Sequence, residues 1–102
     1  MSFEIVHAIA GAIYAQVYDK FNKTKPEYSS FDDGHGEVIR IEWFIPHTYP
    51  SSCGIIHTDR IAIELYDGYA VLVAPGQQAQ FEYANQEFPQ NLYDSLKSIT
   101  VI

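Results

Sequence analysis

Histidine, cysteine and aspartate residues cluster between His47 and Asp59, so this stretch is the first place to look for chemistry. Zinc accepts such ligands, but structural zinc sites usually contain a Cys-x-x-Cys or His-x3-His pair, and the sequence has neither. Cys53 and His57 would have to touch to act as nucleophile and base, yet four residues of one extended strand would hold them about 13 Å apart. We therefore expect a structural role for these residues, with no catalytic site, no bound metal and no cofactor.

A second set of possible ligands lies in one short acidic run, which contains Asp32, Asp33, His35 and Glu37. Calcium loops place oxygen ligands at alternate positions over about twelve residues and end in a glutamate, and this run does not follow that spacing. Its two glycines also lack the third glycine and the preceding strand of a dinucleotide-binding loop. The run is therefore interpreted as a solvent-exposed turn.

The strongest functional signal is the distribution of charge and aromatic rings. Residues 26–94, called the acidic region below, contain eleven carboxylates against two bases, Arg40 and Arg60. The same region contains Trp43, six of the eight tyrosines and four of the six phenylalanines. Such a surface is expected to repel nucleic acid and membranes and to attract basic proteins, while tyrosine and tryptophan commonly anchor protein interfaces.

Length and composition indicate one folded domain over residues 1–102, since 47% of the residues are hydrophobic. The lone Cys53 cannot form an intramolecular disulfide, which favours a cytoplasmic protein. The apolar run at residues 3–17 is shorter than the roughly 20 residues of a membrane-spanning helix, and His7 interrupts it. It also lacks the basic residues with which a signal peptide begins, because the charged residue at its start is Glu4.

Helical spacing of apolar residues from Val6 to Phe21 predicts a first helix over about residues 3–22. Only His7 and Gln16 are polar between residues 5 and 17, so this helix is apolar around most of its circumference. Such a helix must be covered on more than one side. We expect the sheet to cover one side and a second subunit to be a candidate for another.

The middle of the chain is predicted to form an antiparallel sheet after a turn-rich connection at about residues 23–36. Alternating apolar residues, including Trp43, indicate strands with one buried face. Near the end of the chain, Pro89 suits the first turn of a helix with Leu92 and Leu96 on its buried side. The predicted strands lie at about residues 37–45, 55–66 and 69–73, with a short fourth one at 80–84.

The Asp67-Gly68 pair between two of these strands predicts a two-residue hairpin turn, which fixes their register. Tyr66 then faces Tyr69 across the hairpin, and both lie with Glu64 on the side opposite the core. That second side is too apolar for an ordinary solvent surface. It is therefore expected to be partly covered or to bind something.

The predicted order of helix, three or four antiparallel strands and helix indicates an α+β fold with both helices on one face of the sheet. The functional hypothesis is a small, acidic, non-enzymatic domain that neutralises a basic protein partner, such as a nuclease or a nucleic-acid-binding protein. Size, acidity and the lack of a catalytic motif are comparable, as a class, with those of immunity proteins against nuclease toxins and phage-encoded inhibitors of host defence. The predicted contact residues are Trp43, Tyr66, Tyr69, Glu64, Asp67, Glu42, Asp32 and Asp33.

Three alternatives remain open from the sequence. In the first, the first helix or the open sheet face forms the interface of a homodimer that acts as a chaperone or scaffold. A pocket containing His7, His47 or His57 would serve a small-molecule binder or hydrolase. In the third alternative, the acidic surface has no binding role and only keeps the domain soluble.

Overall fold

A computed structural model describes residues 3–21, 24–48 and 56–99 of the chain. Neighbouring strands in its single sheet are consecutive in sequence and antiparallel, so the sheet is a five-stranded meander in the order β1-β2-β3-β4-β5. A helix precedes the sheet and another follows it. The elements are α1 (Phe3–Val17), β1 (Glu27–Asp32), β2 (Glu37–Thr48), β3 (Ile56–Leu65), β4 (Tyr69–Ala74), β5 (Gln77–Glu82) and α2 (Gln90–Lys97).

The α+β class and the order helix, antiparallel sheet, helix are confirmed, but the sheet has five strands where three or four were predicted. The additional strand is β1, which lies inside the segment predicted as a connection. All but one of its side chains are exposed, so β1 lacks the apolar alternation that reveals a strand. Its backbone is extended because it pairs with β2 along its whole length, from Glu27 opposite Glu42 to Asp32 opposite Glu37.

Strand β2 continues past Pro46, which the sequence suggested as its end, to Thr48. The Asp33 N–H donates to the Gly36 carbonyl, so even-numbered residues of β2 direct their backbone polar groups towards β1. Because β1 pairs only as far as Glu42, the nitrogen of Pro46 faces a side of β2 that β1 does not occupy. The missing N–H of proline therefore costs no ladder bond there.

The hairpin register predicted from the Asp67-Gly68 turn is confirmed. The Tyr66 N–H donates to the Tyr69 carbonyl at 2.8 Å, and Gly68 has a φ of 89°, which suits glycine. The opposed pairs are Leu65 with Ala70, Glu64 with Val71, Ile63 with Leu72 and Ala62 with Val73.

Both helices pack on the same face of the sheet. Val6, Ile13 and Val17 of α1 share one buried cluster with Leu92 and Leu96 of α2. Two further contributors to this cluster are aromatic residues that meet edge to face, Phe21 and Trp43, with ring centroids 5.4 Å apart. The sheet contributes Ile39, Ile41, Ile45, Ile61, Ile63, Leu65, Ala70, Leu72 and Ala74 to the same cluster.

Helix α1 ends at Val17, about five residues before its predicted end, and the Lys20 N–H closes a turn on the Val17 carbonyl. Within the described residues, no helix is long and apolar enough to cross a membrane. The predicted buried stripe of α2 is confirmed, since Leu92 and Leu96 are almost completely buried.

Candidate protein-binding surface

Four charged side chains lie together on the outer face of the sheet, the face opposite the helices. Arg40 and Glu64 are directly opposed on β2 and β3, while Glu42 and Arg60 are diagonal neighbours on the same two strands. Nε and Nη2 of Arg40 donate to Oε2 of Glu64 at 2.9 and 2.7 Å, and Nε of Arg60 donates to Oε2 of Glu42. Nη2 of Arg60 also lies 3.9 Å from Oε2 of Glu64, which joins the two pairs into one charge quartet.

The charge quartet uses both arginines of the acidic region to compensate two of the predicted contact residues, Glu42 and Glu64. Their side chains are only 11% and 13% exposed. Val38, Ala62 and Val71 are buried on this same outer face, where long arginine stems can shield apolar neighbours from water. The apolar second face expected from the sequence is thus covered largely by its own charged neighbours.

Beside the quartet, two turns at the same end of the sheet enclose a groove of about 400 Å³. In a meander, alternate turns lie at one end, so the β1–β2 turn and the β3–β4 turn face each other across the ends of β2 and β3. This turn groove contains four of the predicted contact residues, Asp33, Tyr66, Asp67 and Tyr69. The remaining lining residues are Val6, His35, Gly36, Glu37 and Val38.

The two tyrosines of the turn groove form a stacked pair. Their ring centroids are 5.0 Å apart and the rings are 9° from parallel. The Tyr66 hydroxyl lies 3.4 Å from Oε1 of Glu64, and burial, followed by the negative charge of Glu64, raises the pKa of Tyr66. From the neighbouring strand end, the Tyr83 hydroxyl donates to the Tyr66 carbonyl at 2.8 Å, and burial raises the pKa of Tyr83. These contacts fix the pair in position.

The acidic wall of the turn groove comes from the β1–β2 turn. Oδ1 of Asp32 accepts the Gly34 N–H and Oδ1 of Asp33 accepts the His35 N–H, both at 2.8 Å. Asp33 lines the groove, whereas Asp32 lies beside it and supports the turn. Glu37 also lines the groove, although sequence reasoning did not propose it as a contact residue. Its position follows from the pairing of β2 with β3, because the register that opposes Ile39 to Leu65 brings Glu37 to the Asp67 turn.

Trp43 is not part of this surface, and its prediction as a contact residue is wrong for the folded monomer. Its side chain is 0% exposed and packs in the core against Phe21. Alternation along β2 places Trp43 on the helix side of the sheet and its neighbour Phe44 on the outer face, where Phe44 is 42% exposed. Aromatic composition suggested an anchor, but strand geometry makes Trp43 a core residue.

Comparisons of the chain with protein-family models, with curated proteins and with solved structures find no match. A function must therefore be inferred from the geometry and charge of the surface itself.

The histidine, cysteine and aspartate residues between His47 and Asp59 form no metal-binding group among the residues that the structure describes. Among described residues, no group of three or more histidine, cysteine, aspartate or glutamate side chains is placed to hold a metal ion. His47 and His57 are opposed in the β2–β3 ladder, with only their backbones described, and Cys53 lies outside the described residues. His7 contacts β1, where its Nδ1 lies 3.1 Å from the Tyr28 hydroxyl and its ring stacks on the Tyr28 ring.

Proposed function

We propose that this chain is a small, non-enzymatic binding domain that receives a basic surface of a protein partner in the turn groove. One observation carries the proposal. Three acidic residues, Asp33, Glu37 and Asp67, line the groove, and none of its lining residues is a lysine or an arginine. Both arginines of the acidic region are held in the charge quartet instead.

The chemistry of the lining fits a lysine or arginine side chain. Carboxylates attract the cation over a distance and accept its hydrogen bonds at contact, which increases the association rate and fixes the orientation. The stacked rings of Tyr66 and Tyr69 offer a flat surface with little conformational entropy to lose, against which a guanidinium or ammonium group packs favourably. The groove thus combines acidic residues that attract a basic partner with an aromatic pair that can hold its side chain.

In this proposal the partner is a nuclease or another nucleic-acid-binding protein, because such proteins have functional sites rich in lysine and arginine. An acidic domain bound there excludes the nucleic acid and neutralises the partner. This proposal keeps the comparison, as a class, with immunity proteins and anti-defence inhibitors. A reducing cytoplasm is the compartment in which we expect it to act.

The test is a capture experiment with charge-neutralising variants of equal net charge. The immobilised wild-type chain is incubated with extract of the source cell, and the affinity of any captured partner is then measured with the triple variant D33N/E37Q/D67N. We expect a loss of about 100-fold, because close charge pairs across an interface are worth several kcal/mol together. The control triple variant is D19N/E27Q/E87Q, which neutralises three exposed carboxylates away from the groove.

The control variant is expected to lose only a few-fold in affinity through its changed net charge. Equal losses in the two triple variants would show that the groove has no special role. A captured partner without a basic patch, or an association rate indifferent to salt, would remove the electrostatic basis of the proposal.

The outward side of α1 favours a second candidate function, self-association of a scaffold or chaperone protein. Ile5 is 50% exposed, and Ala8, Ala12 and Ala15 are also exposed on this side. Sedimentation equilibrium would detect a dimer, and the variant Ala12→Lys is expected to abolish it by placing a charge in the helix contact. A monomer at high micromolar concentration would eliminate this candidate.

A further inference from the structure

The last strand of the sheet, β5, leaves one row of backbone hydrogen-bonding groups open. β5 pairs with β4 on one side, and it is the final strand in the sheet order. The Tyr83 N–H donates to the Gly68 carbonyl. Because backbone groups alternate in direction along a strand, odd-numbered residues of β5 direct their N–H and C=O groups towards β4, and even-numbered residues direct theirs outwards. The outward residues are Gln78, Gln80 and Glu82.

Among these groups, the Glu82 carbonyl already accepts the Asn85 N–H. No hydrogen bond within the described part of the chain reaches the outward backbone groups of Gln78 and Gln80 or the outward N–H of Glu82. Natural edge strands are usually protected by lysine, proline, bulges or extreme shortness. β5 has six residues without lysine or proline, and five of its side chains are exposed.

A groove of about 410 Å³ runs between this edge and α2, so side chains of an added strand would have a place to enter. Two aromatic residues, Phe81 and Phe88, and two acidic residues, Glu82 and Asp94, are among the residues that line it. None of the lining residues is a lysine, arginine or histidine. The remaining lining residues are Gln80, Asn85, Asn91 and Ser95.

We infer that β5 accepts an extended segment of the partner as a sixth strand of the sheet, with lysine or arginine at alternate positions entering the groove beside α2. Backbone hydrogen bonds supply affinity in this mode, and the groove selects alternate side chains. The inference rests on the proposed function in taking the partner to be basic, but it concerns a different surface from the turn groove.

Charge distinguishes this occupant from a second copy of the chain. Pairing β5 with β5 of another copy would join two chains of formal net charge −7 along edges that each carry Glu82, with Asp94 of α2 beside each edge. The opposite edge, β1, is less suited, because α1 lies against it through the contacts of His7 and Tyr14 with Tyr28. Among the described edge strands, β5 is therefore the one in which an open backbone row lies beside a side-chain groove.

The experiment uses the full chain and a synthetic peptide, Thr-Arg-Val-Lys-Val-Arg-Thr with blocked ends. Amide hydrogen exchange of the wild-type chain is measured by NMR with and without saturating peptide. We expect exchange of the outward amides of Gln78, Gln80 and Glu82 to slow at least about tenfold, since each becomes hydrogen-bonded. A peptide with glutamate in place of the three bases is expected to leave these amides unchanged.

Two variants at one position separate backbone pairing from side-chain contact. Gln80→Pro removes an outward N–H and fills the edge with a ring, whereas Gln80→Ala keeps the N–H and removes the side chain. Proline is tolerated at such an edge because the Gln80 N–H is not part of the β4 ladder. Peptide affinity is expected to fall by about tenfold or more in Q80P and by less than about threefold in Q80A.

Each other outcome overturns the inference. Peptide that perturbs only the turn groove contradicts the β5 edge but leaves the proposed basic partner intact. Equal binding of the glutamate peptide refutes the charge preference, and protection of β5 amides with rising protein concentration alone identifies a second copy as the occupant. Absence of peptide binding at low salt rejects the inference even if a basic partner is captured through the turn groove.

Discussion

Arg40 and Glu64 are directly opposed on β2 and β3, and the guanidinium of Arg40 donates from both Nε and Nη2 to a single oxygen of the Glu64 carboxylate. The same guanidinium lies 4.4 Å from the centroid of the Phe31 ring. Arg40 thus links three strands of the outer face. Arg60 and Glu42 complete the charge quartet, so both arginines form ion pairs within the sheet. Neither arginine lines the turn groove, whose lining contains acidic residues.

Replacing Arg40 with methionine is expected to lower the free energy of unfolding by about 1–3 kcal/mol, because Glu64 is left nearly buried without its main partner. Methionine retains an apolar stem over Phe31. The measurement is urea unfolding at neutral pH. The double variant Arg40→Met/Glu64→Leu is expected to recover most of the loss, and simple additivity of the two single substitutions would contradict a coupled pair.

Trp43→Ala is expected to destabilise the fold by about 3–5 kcal/mol, because a fully buried indole is removed from the core. Its neighbour provides a matched control, since Phe44 is exposed on the opposite face. Phe44→Ala is expected to cost less than about 1 kcal/mol in the same thermal or urea unfolding experiment. Similar losses from the two substitutions would contradict the assignment of faces along β2.

Two glycines allow a test of backbone conformation without steric crowding, because a Cβ on Gly11 or Gly68 would meet nothing within 4 Å. Gly11→Ala in α1 is expected to raise stability by about 0.5–1 kcal/mol, since alanine favours the helix. Gly68→Ala is expected to lower it by about 1 kcal/mol or more, because φ is +89° in the hairpin turn. Differential scanning calorimetry should therefore give Tm changes of opposite sign.

Tyr83 is expected to make the fold sensitive to alkaline pH. Burial raises its pKa in the folded chain above the unfolded value of about 10, so its stabilising contribution is complete below pH 10 and is lost as the pH rises towards the folded pKa. Tyr83→Phe should cost about 1 kcal/mol at neutral pH through the lost hydrogen bond to the Tyr66 carbonyl. Above pH 10 this difference should shrink.

Urea unfolding of wild type and Tyr83→Phe between pH 7 and about pH 11 checks this sign. The pKa values of Tyr28, Tyr66 and Tyr93 are also raised, chiefly by burial, and these groups are present in both proteins. The difference between the two curves therefore isolates Tyr83. A difference that stays constant or grows with pH would refute the role assigned to its hydroxyl.

Local patterns predicted the parts of the fold that local chemistry decides. A two-residue turn at Asp67-Gly68 permits one register for the hairpin, and the period of two along each strand then assigns every side chain to a face. The same alternation placed Trp43 with the core residues of β2. Its aromatic type nevertheless suggested a contact residue, and burial in the folded chain decided between the two interpretations.

Strand β1 and the turn groove could not be predicted from local sequence patterns. β1 exposes nearly all its side chains, so only its backbone pairing with β2 makes it a strand. Pairing of β2 with β3 then brings the turn with Asp33 and Glu37 beside the turn with Asp67, 30 or more positions further along the chain. Sequence by itself determined the amount of charge in the acidic region. Tertiary structure alone decided which carboxylates Arg40 and Arg60 compensate and which line the groove, because ion pairs depend on distances in space and not on spacing along the chain.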